Sequence, residues 1–239
     1  MRSPRALAGA LLALAFPAGA HQEEAPAPLD FVPPAAGTYR LPPIQAAPQG
    51  EVLDAAGRTR PLSDFTRGRI TLLGLIYTRC TDPEGCPRAT WAFNEVRALL
   101  RDDPALQART RLVSLSFDPV NDRPGVIAAY ATRSGGSRRG ADWHFLTTAS
   151  RRALAPILDG FGQDLRVAAD SRAVPGTEEF THNLKVFLID RAGMVREIYS
   201  TAYLMPPMIL NDILTLDGEN RAHSSSPTGA QEQKRLRSP

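Results

Sequence analysis

The chain has 239 residues, 43% hydrophobic and 22% charged, which suits one soluble globular domain of ordinary size with tails. Its formal net charge is only +3. The basic residues are almost all Arg and are spread along the chain, so the concentrated basic footprint that nucleic-acid binding needs is missing and that class is set aside.

The first twenty residues, MRSPRALAGALLALAFPAGA, have the layout of a secretory signal. Arg2 and Arg5 form the charged start, Ala6 to Phe16 an apolar core, and Ala18-Gly19-Ala20 the small residues of a cleavage site. The apolar stretch falls short of the about 20 residues that span a bilayer. Residues 1–20 are therefore expected to be removed on export, leaving a periplasmic protein that begins near His21 and is soluble or peripheral at the membrane. Residues 21–47 are rich in Pro and Ala without a hydrophobic period, and read as a linker or surface arm. Residues 48–217 form the expected folded domain, and the polar tail 218–239 is expected to be disordered.

Within 48–217, apolar runs alternate with helical patterns. Ile70 to Thr78 is a continuous apolar run, as in a strand covered on both faces. Arg88 to Arg101 places Phe93, Val96, Leu99 and Leu100 on one helical face, with Pro87 suited to the first turn. A strand follows at Leu112 to Phe117, a helix at Pro124 to Arg133, a short strand at Trp143 to Leu146, and a helix from about Ser150 to Phe161. Leu184 to Asp190 and Met194 to Ser200 flank Arg191-Ala192-Gly193 as a hairpin, and a helix at Met208 to Leu216 closes the domain. This order predicts a thioredoxin-like α/β fold, with a mainly parallel central sheet, a C-terminal hairpin and flanking helices.

Cys80 and Cys86 fall between the end of the first central strand and the start of its helix, where open α/β sheets place their sites. A helix N-terminus favours a thiolate, which points to Cys86, and Arg79 adds positive charge. A low thiol pKa serves disulfide exchange and soft-metal binding equally. Outside the cytoplasm a fixed structural disulfide is a third use of the pair. His182 precedes the Leu184 strand, and in a thioredoxin-like sheet the loop leading into that strand approaches the first strand–helix loop. Two thiolates and one imidazole would suit Cu(I); zinc takes the same donors, but a structural zinc site usually has four protein ligands. Dedicated oxidoreductases of this fold usually keep two residues between their cysteines and a cis-proline facing them. Here five residues intervene, and the nearest proline before the Leu184 strand is Pro175. A peroxidase of the same fold would need a differently placed nucleophilic cysteine.

The runs LIYTRC…CP, SLSFDP and THNLKVFLIDRAGMV together resemble the SCO/SenC family of copper proteins. The matching positions are Tyr77, Thr78, Cys80, Cys86, Pro87, Asp118-Pro119, His182 and Ile189-Asp190, and the likeness spans roughly residues 48–217. It implies a thioredoxin-like fold and copper, as Cu(I) or Cu(II), held by Cys80, Cys86 and His182. It also implies a metallochaperone more than an enzyme, delivering copper to the dinuclear centre of cytochrome c oxidase or a related cuproprotein, or keeping that centre's cysteines reduced. A monomer is expected. The family usually keeps three residues between its cysteines, against five here; Pro83 and Gly85 lengthen the loop and allow it to turn, and Asp82 and Glu84 place negative charge in it. Elsewhere, His144 is expected to be a packed strand residue, and Met205 and Met208 to pack at the start of a helix. Arg138-Arg139 should lie in a solvated loop, with docking of an acidic partner as the alternative, and His21 offers copper an N-terminal amine and imidazole if cleavage leaves it first.

Overall fold

The computed structural model describes residues 32–136, 140–167, 180, 181 and 183–225. The proposed signal, His21, Arg138-Arg139, Pro175 and His182 lie outside the described residues.

The domain is built on two seven-residue strands in which every residue is buried, β4 (Ile70–Ile76) and β5 (Thr110–Ser116). Such strands are stable only when both faces are covered, and each buried Leu or Ile contributes about 1.5–3 kcal/mol. The strands pair in parallel from Ile70 beside Thr110 to Ile76 beside Ser116, and β6 (Asp142–Thr147) continues the parallel set beside β5. Around this centre the sheet turns antiparallel. The hairpin β9 (Val186–Ile189) and β10 (Met194–Tyr199) docks on β4, and a second hairpin, β2 (Glu51–Asp54) with β3 (Thr59–Pro61), docks on β6. With β1 (Gln45–Ala46) the eight strands run in the order β1-β10-β9-β4-β5-β6-β2-β3. The α/β class predicted from sequence holds, while the sheet is mixed, with parallel pairing confined to β4–β5–β6.

Alternation along β4 and β5 feeds two layers. Leu72 and Leu112 point to the side covered by α2 (Cys86–Leu99), α3 (Pro104–Arg109), α4 (Pro124–Arg133) and α6 (Pro206–Ser225). Leu73, Leu75, Val113 and Leu115 point to the side covered by α1 (Ser63–Thr66) and α5 (Arg151–Gly160). Gly74 lets α2 lie close to the sheet, because a Cβ there would stand 3.2 Å from Phe93 Cζ.

Two boundaries differ from the sequence reading. The segment read as a linker belongs to the domain from about residue 33. Leu41 and Ala47 are buried, Gln45 and Ala46 pair with Val195 and Met194, and Tyr39 donates to buried Asp212 on α6. The closing helix also runs past Leu216 to Ser225, so the first part of the presumed tail is helical; residues 226–239 are outside the described set. Ion pairs hold this extension: Arg109 binds buried Asp217 through two bonds of 2.7 and 2.9 Å, and Arg196 reaches Glu219 at 2.7 Å. Among the described residues no helix is long and apolar enough to cross a membrane.

Candidate metal centre

The chain leaves β4 at Tyr77 and must return to begin α2 at Cys86. Three backbone devices make that turn: Cys80 N–H donates to Tyr77 O at 3.2 Å, Glu84 N–H to Asp82 Oδ1 at 3.0 Å, and Gly85 N–H to Asp82 O at 3.0 Å. Asp82 thus folds the loop back through its own side chain, as Asx turns do. Gly85 makes the convergence possible, because a Cβ there would stand 3.2 Å from Cys80 Sγ and 3.3 Å from Asp82 O. The five-residue spacing is closed by this turn and still brings the two sulfurs into hydrogen-bonding contact. Both are free thiols.

The two thiols differ sharply in surroundings. Cys86 is only 1% exposed and accepts the Tyr77 N–H at 3.4 Å, whereas Cys80 is half-buried. Cys86 donates its thiol proton to Cys80. That bond, with help from the N–H groups of Cys86 and Asp82 and the Tyr77 hydroxyl, pulls Cys80 down to about 6, although burial pushes it up. Cys86 moves the other way, raised by the same bond and by burial. The sequence reading favoured Cys86 as the thiolate because of its place at a helix start. Burial outweighs that helix field, since desolvation penalises the charged form, and the pair shares one proton with the charge on Cys80.

A buried polar bracket stands behind the loop. Asp122 accepts from Thr78 N–H at 2.9 Å, Thr78 Oγ1 at 2.5 Å and Ser116 Oγ at 2.6 Å, joining the ends of β4 and β5. Burial pushes its carboxyl up, opposed by the Ser116 and Thr78 bonds. Asp118, fully buried, binds Arg79 at 3.0 Å. Sequence reasoning named Asp118 and missed Asp122; the signal was a second acid four residues on, in a turn just before a helix.

The segment leading to His182 is anchored over the same spot. Phe180 of β8 (Phe180–Thr181), paired with β7 (Arg166–Val167), packs edge-on against Tyr77 at 5.3 Å and Phe117 at 5.5 Å. On the other side of His182, Asn183 O accepts from Gln163 Nε2 at 3.2 Å. Among the described residues no three of His, Cys, Asp and Glu gather as a metal-binding group; the third expected ligand is outside that set. His144 is packed as expected, edge-on to Phe65 at 5.1 Å, and burial lowers its pKa. Met208 packs against the core beside α2 and α6.

The sequence model of the SCO1/SenC family matches residues 45–216. Among solved structures, apo Sco1 from Thermus thermophilus is 23% identical, with a TM-score of 0.58 over 77% of this chain and 95% of that one. Copper-bound ScoI from Arabidopsis thaliana is 12% identical, with a TM-score of 0.60 over 73% and 99%. BsSco, described with a disulfide switch and as one of the Sco family of cytochrome c oxidase assembly proteins, is 20% identical, with a TM-score of 0.55 over 73% and 95%. No curated protein matches the sequence. With a family match over most of its length and the cysteine pair at the β4–α2 junction, this chain belongs to the SCO1/SenC family.

Proposed function

We propose that this chain is an exported copper carrier that binds one copper ion through Cys80, Cys86 and His182 and passes it to a copper-requiring partner. The observation that carries the reading is the convergence of two free cysteines at the β4–α2 junction, the half-buried Cys80 with its pKa pulled down to about 6 by Cys86, next to Tyr77, against which Phe180 packs. Two sulfurs and one imidazole are soft donors at low coordination number, the preference of Cu(I). Copper taken up by both sulfurs displaces the Cys86 proton. The copper-bound relative supports the cargo, and the description of BsSco supports cytochrome c oxidase as the client. The start of the sequence supports export, and a monomer fits a carrier that must expose its thiols.

Anaerobic Cu(I) titration of the full chain and of Cys80→Ala, Cys86→Ala and His182→Ala tests the ligand set. Loss of stoichiometric binding in the cysteine variants and at least tenfold weaker binding in His182→Ala are expected. Unchanged affinity in His182→Ala would remove the imidazole from the site.

A second reading rests on the asymmetry of the pair. A half-exposed, low-pKa Cys80 backed by buried Cys86 is the arrangement of an attacking and a resolving thiol. The Cys80 thiolate would attack a partner disulfide, releasing one partner thiolate. Cys86, its proton passing to the released partner thiolate, would then attack the Cys80 sulfur, forming the Cys80–Cys86 disulfide and releasing the reduced partner. Accumulation of a mixed disulfide in Cys86→Ala, with turnover in the native chain, would favour this use over delivery of metal.

A further inference from the structure

The fully buried Asp122 acts on the thiol loop through a single peptide plane. A trans peptide is planar, so the Thr78 N–H and the Tyr77 C=O point in opposite directions. Asp122 Oδ2 accepts that N–H at 2.9 Å, which aims the Tyr77 C=O the other way, where it accepts Cys80 N–H at 3.2 Å. Tyr77 N–H, one step earlier, reaches Cys86 Sγ at 3.4 Å. Both cysteines are thus bonded to the backbone of Tyr77, and Asp122 fixes its orientation. The other carboxylate oxygen accepts Thr78 Oγ1 at 2.5 Å, so backbone and side chain of Thr78 are held together. Asp122 itself stands on a stiff turn. Its N–H donates to Asp118 O at 2.8 Å, Asp118 N–H to Ser116 Oγ at 3.0 Å, and Phe117 N–H to Ile76 O at 2.9 Å at the end of β4. Burial pushes the Asp122 carboxyl up, so charge is a cost at this position and hydrogen bonding is its use.

We infer that Asp122 is a positioning residue for the thiol pair: by fixing the Tyr77–Thr78 peptide from the β5–α4 turn, it holds Cys80 in place beside Cys86 for copper and for disulfide exchange. The inference rests on the metal-carrier reading for its cargo and extends the site to a residue on another loop. Two donors separated by five residues must be gathered before one ion can take both, and a neighbouring turn whose own bonds are complete does this in advance. A misplacement of about 1 Å at such a site costs about a hundredfold.

The test uses the full chain, the variants D122A, D122N, T78V and T78S, and a control, D217A. The control removes a buried carboxylate that binds Arg109, at the opposite end of β5. Two readouts are taken: the pH–rate profile of Cys80 alkylation by iodoacetamide, which needs no metal, and anaerobic Cu(I) titration. D122A should slow alkylation at pH 6 about threefold or more and weaken Cu(I) binding about tenfold or more. Asn keeps an acceptor for Thr78 N–H, so D122N should stay within about 1.5-fold in rate and about threefold in affinity. T78V, which loses only the hydroxyl bond, should show a smaller loss of about twofold in rate that T78S restores, and D217A should match the native chain. Native values in folded D122A, an equal loss in D122N, or an equal loss in D217A would overturn the inference. Should D122A fail to fold, T78V decides the point: a loss restored by T78S upholds the inference, and T78V equal to T78S overturns it. The two readouts separate this inference from the carrier reading. The expected order of alkylation rates in a chain that binds no Cu(I) sinks the carrier reading and upholds the positioning; native Cu(I) binding with rates unmoved in D122A sinks the positioning alone.

Discussion

Replacing Cys86 by Ala isolates the shared proton. In the native pair the Cys80 pKa lies at about 6, against an ordinary 9.0, and donation from Cys86 is the largest cause. A hydrogen bond to a charged group contributes about 1.5–3 kcal/mol, which at 1.36 kcal/mol per unit is about 1–2 pKa units. The Cys80 pKa in Cys86→Ala should therefore rise to about 7–8. At pH 7 the thiolate fraction falls from about 90% to between about 50% and 10%, so iodoacetamide should alkylate Cys80 about two- to tenfold more slowly. The assay is the full pH–rate profile of alkylation, with mass spectrometry to assign the modified residue and circular dichroism to show that the fold persists. The sign also fixes a stability trend. Because the folded pKa of Cys80 is depressed, its contribution is complete above pH 9 and is lost as pH falls towards 6. A profile whose midpoint stays near 6 in Cys86→Ala would refute the shared proton.

Asp122→Ala removes the acceptor of three hydrogen bonds and leaves the Thr78 and Ser116 donors inside the protein, which should cost about 2–3 kcal/mol in urea unfolding; a loss below about 0.5 kcal/mol would mean that the bracket is not structural. Gly85→Ala places a methyl group 3.2 Å from Cys80 Sγ, so the sulfur must retreat by a few tenths of an ångström. The Cys80 pKa should rise by about half a unit or more and Cu(I) affinity should fall, checked by the same alkylation profile and titration; an unchanged profile would show that the loop absorbs the methyl freely.

The central strands were legible because both faces of Ile70–Ile76 are covered, which leaves an uninterrupted apolar run. The hairpin about Arg191 and the helix at Pro124–Arg133 were equally plain, marked by turn residues and an opening proline. Strands β1, β2 and β3 were not, since they are two to four residues long and depend on partners far along the chain: Gln45 on Val195, Leu53 on Thr147. The tail was misread for the same reason. Glu219 looks like tail composition until Arg196 is found beside it. At the site, the location of Cys80 and Cys86 followed from the strand–helix pattern, but the seat of the charge did not. Exposure decides it, and a sequence records no exposure. Asp122 escaped because its role is to accept from Thr78 across two strand ends, a relation between loops that no spacing rule displays.

Strand β1 bears on how the domain tolerates shortening. It is two residues long, yet with Ile44 and Ala47 it supplies backbone partners to Gly193 and Val195 along one margin of the sheet. The opposite margin ends in Thr59–Pro61, a three-residue strand carrying Arg and Pro, which recruit further strands poorly. A protein trimmed to begin at residue 48, the boundary that composition suggests, would bare the backbone groups of Gly193–Val195 on the margin that lacks such a guard. Its first failing would then be sheet-to-sheet association between molecules, well before any loss at the thiols, and the arm acts as a solubility device as much as a tether.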